Sequence, residues 1–207
     1  IESYALSRFY GDREGQHFGV GLSLPDINGD GFSDIFIGGG GEGSNGTGNG
    51  AVGGFFGPLM GDFFLEDADM LYREDPTIDH LSNTLHCGLE INNDGYEDCA
   101  FAAYWDSTYA ARGGAVYLMH GSYEGLPSSL TESNARVYGE TDYGYGGISI
   151  TSIQNFSAND GIALAIGAYG DKRVPTSSSP DGAVHIFLQA PQGTLLLSDA
   201  DLHLYGE

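Results

Sequence analysis

The sequence predicts an all-β chain built from repeated four-stranded antiparallel sheets, and three observations lead there. Gly and Pro account for 34 and 7 of the 207 residues, about 20% against a combined background of roughly 12%. Gly recurs every few positions, which disfavours long helices. Hydrophobic residues are 41% and aromatic residues 12% of the chain, enough for a packed core and too much for a disordered segment. Finally, one set of landmarks returns three times in the same order, the signature of a repeat architecture.

The elements follow in chain order. A closing strand, Leu6 to Tyr10, precedes the first full unit. Unit one then offers strands at 18–24, 33–38, 51–56 and 68–73. Its second strand, Ser33 to Gly38, finds counterparts in Glu97 to Ala102 and Ile162 to Gly167. The triplet Gly50-Ala51-Val52 returns as Gly114-Ala115-Val116 and Gly182-Ala183-Val184. Each unit closes on a strand ending in tyrosine: Met70 to Tyr72, Arg136 to Tyr138 and Leu202 to Tyr205. Ala51, Ala115 and Ala183 stand 64 and 68 positions apart, a period of about 66 residues. Four short strands at this period make the blade of a β-propeller. The chain therefore divides as one repeat domain over 1–207, with the last strand of a preceding blade and a connector over 1–16. Blade 1 covers 17–80, blade 2 covers 81–142 and blade 3 covers 143–207. Closed propellers usually need about four to eight blades. Three leave sheet edges open, so the chain is expected to be part of a larger ring or to pair with another copy.

Charge narrows the function classes. Seven Lys+Arg stand against 29 Asp+Glu, a net charge of −22, and Lys172 is the only lysine. Such a surface repels nucleic-acid phosphates and anionic lipid. Apolar runs such as Ile162 to Ile166 are far too short to span a bilayer. No signal peptide is visible, and the start at Ile1 reads as a processed or excised segment. Cys87 and Cys99, twelve positions apart, are either buried free thiols or a cross-strand disulfide. The acidic, lysine-poor composition favours the disulfide and an oxidising, extracellular compartment. The sequons at Asn45 and Asn155 fit the same compartment.

The loop between the first two strands of unit one carries the clearest chemistry. Asp26-Ile27-Asn28-Gly29-Asp30-Gly31-Phe32-Ser33-Asp34 places side-chain oxygens at positions 1, 3, 5 and 9, and Gly at 6 allows the sharp turn. The Phe32 carbonyl supplies position 7. Hard oxygen donors wrapped closely in sequence suit Ca2+, which takes six to eight of them, better than Mg2+ with its strict octahedral demand. An EF-hand is excluded, because position 12 is Ile37 rather than a bidentate acid. Unit two repeats the pattern in Glu90, Asn92, Asp94, Tyr96 (through its carbonyl) and Asp98. The longer Glu90 predicts a shifted or looser site, and Cys87 and Cys99 flank the loop. Unit three keeps one carboxylate, Asp160, with Ala163 at position 9, and is expected to bind no Ca2+ or to bind it very weakly. Two Ca2+ sites are predicted.

With these residues in hand, the chain resembles the FG-GAP repeat family, the blade type of the integrin α-subunit propeller. Phe18-Gly19 matches the opening dipeptide and Asp26 to Asp34 the calcium loop. Gly38-Gly39-Gly40, Ala102-Ala103-Tyr104 and Gly167-Ala168-Tyr169 stand where Gly-Ala-Pro is usual, all without the proline. Leu65 to Asp69 and its echo Leu197 to Asp201 look like repeats of secreted bacterial multi-blade proteins. The resemblance implies an extracellular propeller with structural Ca2+ on one face. It implies partner binding on the other, through the loops joining strands two to three and four to one. In unit two that loop offers Tyr104, Trp105, Asp106, Tyr109 and Arg112, and unit three offers Lys172 and Arg173. These residues imply either a protein partner or, as an alternative, a sugar stacked on the rings; the rings could equally cover neighbouring blades. No Gly-x-Ser-x-Gly or His-Glu-x-x-His is present, and the six histidines, at 17, 80, 86, 120, 185 and 203, are scattered, so no enzyme is expected.

Overall fold

The computed structural model describes residues 7–40, 50–73, 81–154, 156, 162–172 and 181–206. Both sequons, Arg173 and all of the third loop except Phe156 lie outside them. Fifteen strands are present among the described residues, with no α-helix. Blade 1 is a four-stranded antiparallel sheet of β2 (Gly21–Ser23), β3 (Ile35–Gly39), β4 (Ala51–Phe55) and β6 (Met70–Arg73). The second sheet runs through β7 (Leu81–Leu89), β8 (Asp98–Ala103), β9 (Ala115–Met119) and β10 (Ala135–Tyr138). The third holds β11 (Gly146–Gln154), β12 (Ile162–Ala168), β13 (Ala183–Phe187) and β15 (Leu202–Tyr205). Three sequential antiparallel meanders of four strands are propeller blades.

Two more strands tie blades together. β1 (Ser7–Tyr10) pairs in parallel with β5 (Gly61–Phe64), and β10 pairs in parallel with β14 (Gly193–Leu196). Each donated strand leads into a one-turn 3₁₀ helix whose first residue, Leu65 or Leu197, is buried. Blade 2 has the helix, at Leu130–Glu132, without the strand. At the matching place stands Pro127, which has no N–H for a ladder. There the Tyr72 hydroxyl donates to the Pro127 carbonyl at 2.6 Å, and the Leu126 amide to Met70 Sδ at 3.3 Å. The sequence pattern did not reveal these added strands.

The strand-ending tyrosines are not equivalent either. Tyr138 faces Ala115 and Tyr205 faces Ala183, whereas Ala51 faces Arg73 and Tyr72 faces Val52. Tyr72 thus occupies the place of Val137 and Leu204. A shift of one residue changes the side of the sheet, and Tyr72 is turned into the core.

Strand alternation builds two inter-blade cores. On β8, Cys99, Phe101 and Ala103 enter one core, and Ala100 and Ala102 enter the other. Phe36 and Tyr72 come from blade 1, their rings 6.2 and 5.3 Å from that of Phe101. Leu164, Ile166 and Phe187 of blade 3 close the second core against Val116, Leu118 and Val137. Cys87 and Cys99 are register partners on β7 and β8 and form a disulfide.

Candidate functional site

The two acidic loops fold alike. Their fourth and sixth positions have left-handed backbone: Gly29 (φ 69°) and Gly31 (88°) in the first, Asn93 (57°) and Gly95 (92°) in the second. Glycine or asparagine is what this conformation favours. In loop one, Asp26 accepts from the amides of Asp30 (3.0 Å) and Gly31 (2.9 Å), Asn28 from that of Asp30 (3.1 Å), and Asp30 from that of Phe32 (2.8 Å). Loop two repeats each bond: Glu90 accepts from Asp94 (2.9 Å) and Gly95 (3.1 Å), Asn92 from Asp94 (3.1 Å), and Asp94 from Tyr96 (2.9 Å). The longer Glu90 reaches the same two amides as Asp26, so the turn is not loosened by the extra methylene.

Position 9 closes each loop from inside. Asp34 and Asp98 are fully buried. Asp34 accepts from the amides of Ile27 and Gly57, both at 2.9 Å, and Asp98 from those of Ile91 (2.6 Å) and Gly121 (2.8 Å). Burial pushes both carboxyls above the ordinary aspartate range, and the amide bonds oppose this only in part. The like charges of Asp30 and Asp26 push Asp34 further up; Asp94 acts the same way on Asp98, where the neighbouring His120 opposes it. A buried anion beside other anions is costly unless a cation compensates it. The donor set of carboxylates, one amide oxygen and one backbone carbonyl per loop fits a hard cation. Among the described residues, no three His, Cys, Asp or Glu side chains form a ready-made metal cluster; the carboxylates at positions 1 and 5 are turned to amides of their own loop, and those at position 9 also reach Gly57 and Gly121. Each such oxygen keeps a second lone pair. Blade 3 has buried Ala163 where Asp34 and Asp98 stand, so its second strand offers no carboxylate there.

The loop residues of blade 2 gather elsewhere, with tyrosines from blade 3. The Arg112 guanidinium lies over the Trp105 ring at 3.9 Å. Tyr104 packs edge-on against Trp105, accepts a hydrogen bond from the Asn83 amide (2.8 Å), and approaches Tyr145 at 6.5 Å. Tyr145 stacks on Tyr169 at 4.9 Å with an interplanar angle of 2°. Tyr109 packs on Tyr138, and exposed Tyr143 lies near both Arg112 and Tyr145. Asp106 does not belong to this face: it is buried and accepts from the Thr108 amide (2.8 Å) and the Tyr117 hydroxyl (3.4 Å). Lys172 lines a cavity of about 430 Å³ together with Tyr109, Glu140 and Asp142. Its amide donates to Asp171, a carboxylate also bonded by Thr141 and His185. Burial pushes Asp171 up, but these bonds outweigh it and hold its carboxyl low. Tyr143, Tyr145 and Tyr169 escaped the sequence reading as site residues, because only folding brings blade 3 against the blade 2 loop.

The sequence has relatives. The chain is 29% identical over 197 residues to integrin alpha-4 of Xenopus laevis, covering 87% of this chain and 17% of that protein. The chain is related to the integrin α subunits through an FG-GAP-like propeller. Integrin alpha-PS5 and integrin alpha-PS2 of Drosophila melanogaster are also 29% identical, over 176 and 179 residues. Those matches cover 82% and 79% of this chain. The integrin α-like chain spans only 17, 16 and 12% of the length of these three relatives. No family model matches it.

Proposed function

We propose that this chain is a non-catalytic, Ca2+-stabilised segment of an extracellular propeller that serves adhesion or protein assembly. One observation carries the reading: two loops share one hydrogen-bond pattern, and each ends in a buried aspartate facing other anions. Asp26, Asn28, Asp30, the Phe32 carbonyl and Asp34 hold one ion, and Glu90, Asn92, Asp94, the Tyr96 carbonyl and Asp98 hold the other. Ca2+ neutralises charge and ties strand one to strand two in blades 1 and 2. Because it binds the folded state, it adds stability by mass action.

The disulfide supports an oxidising compartment. The face of Tyr104, Trp105, Tyr109, Arg112, Tyr143, Tyr145 and Tyr169 is the recognition surface. With Arg112 covering one face of the indole and Tyr145 stacked on Tyr169, a protein partner suits it better than a sugar seated flat on Trp105. Further blades, or a second copy, cover the open ends of the array. The test is thermal unfolding of the parent and Asp30→Ala, each with Ca2+ and with chelator. The variant should melt lower than the parent in Ca2+ and show a smaller Ca2+ dependence. A variant that melts like the parent in both conditions refutes the structural ion in loop one.

A further inference from the structure

The two acidic loops are not independent bodies. The Asp26 amide donates to the Glu97 carboxylate at 2.7 Å, across 71 residues and from blade 1 to blade 2. Asp26 is the first residue of loop one, and Glu97 is the eighth of loop two. Tyr96, the seventh, lays its ring beside Gly29, where an added Cβ would stand 3.3 Å from the ring edge. Gly121 is wedged against the Glu97 carbonyl and, 3.2 Å from its would-be Cβ, the Ile27 carbonyl. Its amide donates to Asp98. Thus Tyr96-Glu97-Asp98 faces two ways: the Tyr96 carbonyl and the Asp98 carboxylate belong to loop two, while the side chains of Tyr96 and Glu97 support loop one. The same eighth position in loop one is Ser33, too short to repeat the contact on a neighbour.

We infer that the two loops load Ca2+ as a coupled pair and that Glu97 is the positioning residue that couples them; this rests on the calcium reading above. An ion in loop two fixes Tyr96 and Asp98, which fixes Glu97 between them and so holds the Asp26 amide and its carboxylate in the binding arrangement. By linkage, an ion in loop one favours loop two by the same factor. A coupling of about tenfold lies in the range found for linked sites.

The experiment is a Ca2+ titration of the chelator-stripped full chain, followed at the Gly31 and Gly95 amides by NMR so that each loop is read separately. Asp94→Asn, which removes a loop-two charge and keeps an acceptor for the Tyr96 amide, should weaken Ca2+ at Gly31 about tenfold. Made on top of Glu97→Ala, the same change should leave the Gly31 midpoint where Glu97→Ala alone puts it. Glu97→Gln keeps an acceptor oxygen and should retain most of the coupling; if the alanine variant does not fold, Glu97→Ser, as short as Ser33 at the same position of loop one, takes its place in the cycle with the same expectation. Ca2+ binding at both loops with a Gly31 midpoint that ignores Asp94→Asn overturns the coupling and leaves the calcium reading intact. A Gly31 shift that survives Glu97→Ala overturns the role of Glu97. Ca2+ at neither loop overturns both readings together.

Discussion

Asp34 and Asp30 stand four residues apart in one loop and do different work. Asp34 is buried and satisfies the amides of Ile27 and Gly57. Asp34→Ala would leave the buried Ile27 amide and the half-buried Gly57 amide unpaired and should cost about 1–3 kcal/mol even in chelator. Asp30→Ala, at an exposed turn, should cost only ~0.5 kcal/mol in chelator and show its main effect with Ca2+. Urea unfolding of both variants in chelator checks the contrast, and equal losses would refute the division of labour. His86 gives a pH prediction. Its Nε2 accepts from the Ser152 amide at 3.3 Å, linking β7 to β11, and burial holds its pKa below the ordinary 6.5. A base with a depressed folded-state pKa contributes stability above its unfolded value, and that contribution is lost as pH falls through the folded value. Urea midpoints should drop between about pH 7.5 and pH 5.5, and the drop should shrink in His86→Gln; an equal drop in both would exclude His86 as the cause. At this scale the acidic loops were legible because all nine positions are consecutive in sequence. The stack of Tyr104, Tyr145 and Tyr169 was not, because its rings come from two blades.

Among the elements, the β7–β8 hairpin carries both a candidate ion and a disulfide at its base. Closing a loop of this size contributes about 3 kcal/mol in the chain-entropy model. Paired Cys87→Ala and Cys99→Ala should lower the unfolding free energy by about that amount in chelator, and an unchanged urea midpoint would show the bond to be superfluous. The second, third and fourth strands of blade 1 were placed to within two residues at each end, because alternation and Gly-rich turns mark them. The predicted first strand, 18–24, shrank to Gly21–Ser23, since Phe18 to Val20 lies in a turn. β5 and β14 went unseen, because a strand that pairs in parallel with the preceding blade leaves no pattern within its own unit. The closing tyrosines misled for a related reason: sequence alignment of a short strand does not fix its register, and cross-strand partners do.

For the whole molecule, the two larger hydrophobic cores are shared between neighbouring blades. Phe101 is fully buried between Phe36 and Tyr72 of blade 1. Phe101→Ala should cost about 3–5 kcal/mol in a single transition, and a local loss confined to blade 2 would contradict a shared core. At the two ends the packing is open. Leu22 and Leu24 in blade 1 are 58% and 69% exposed, and Leu204 in blade 3 is 58% exposed, at the place Val137 fills in the core between blades 2 and 3. The net charge of −22 makes cations the natural counterweight for the whole assembly. The most direct test of the calcium reading is a calorimetric titration of chelator-stripped protein with Ca2+, read for stoichiometry. Two ions per chain are expected, one for each loop closed by Asp34 or Asp98. A titration with no heat and no shift in melting temperature would contradict it, leaving those two aspartates as struts for their own turns and nothing more.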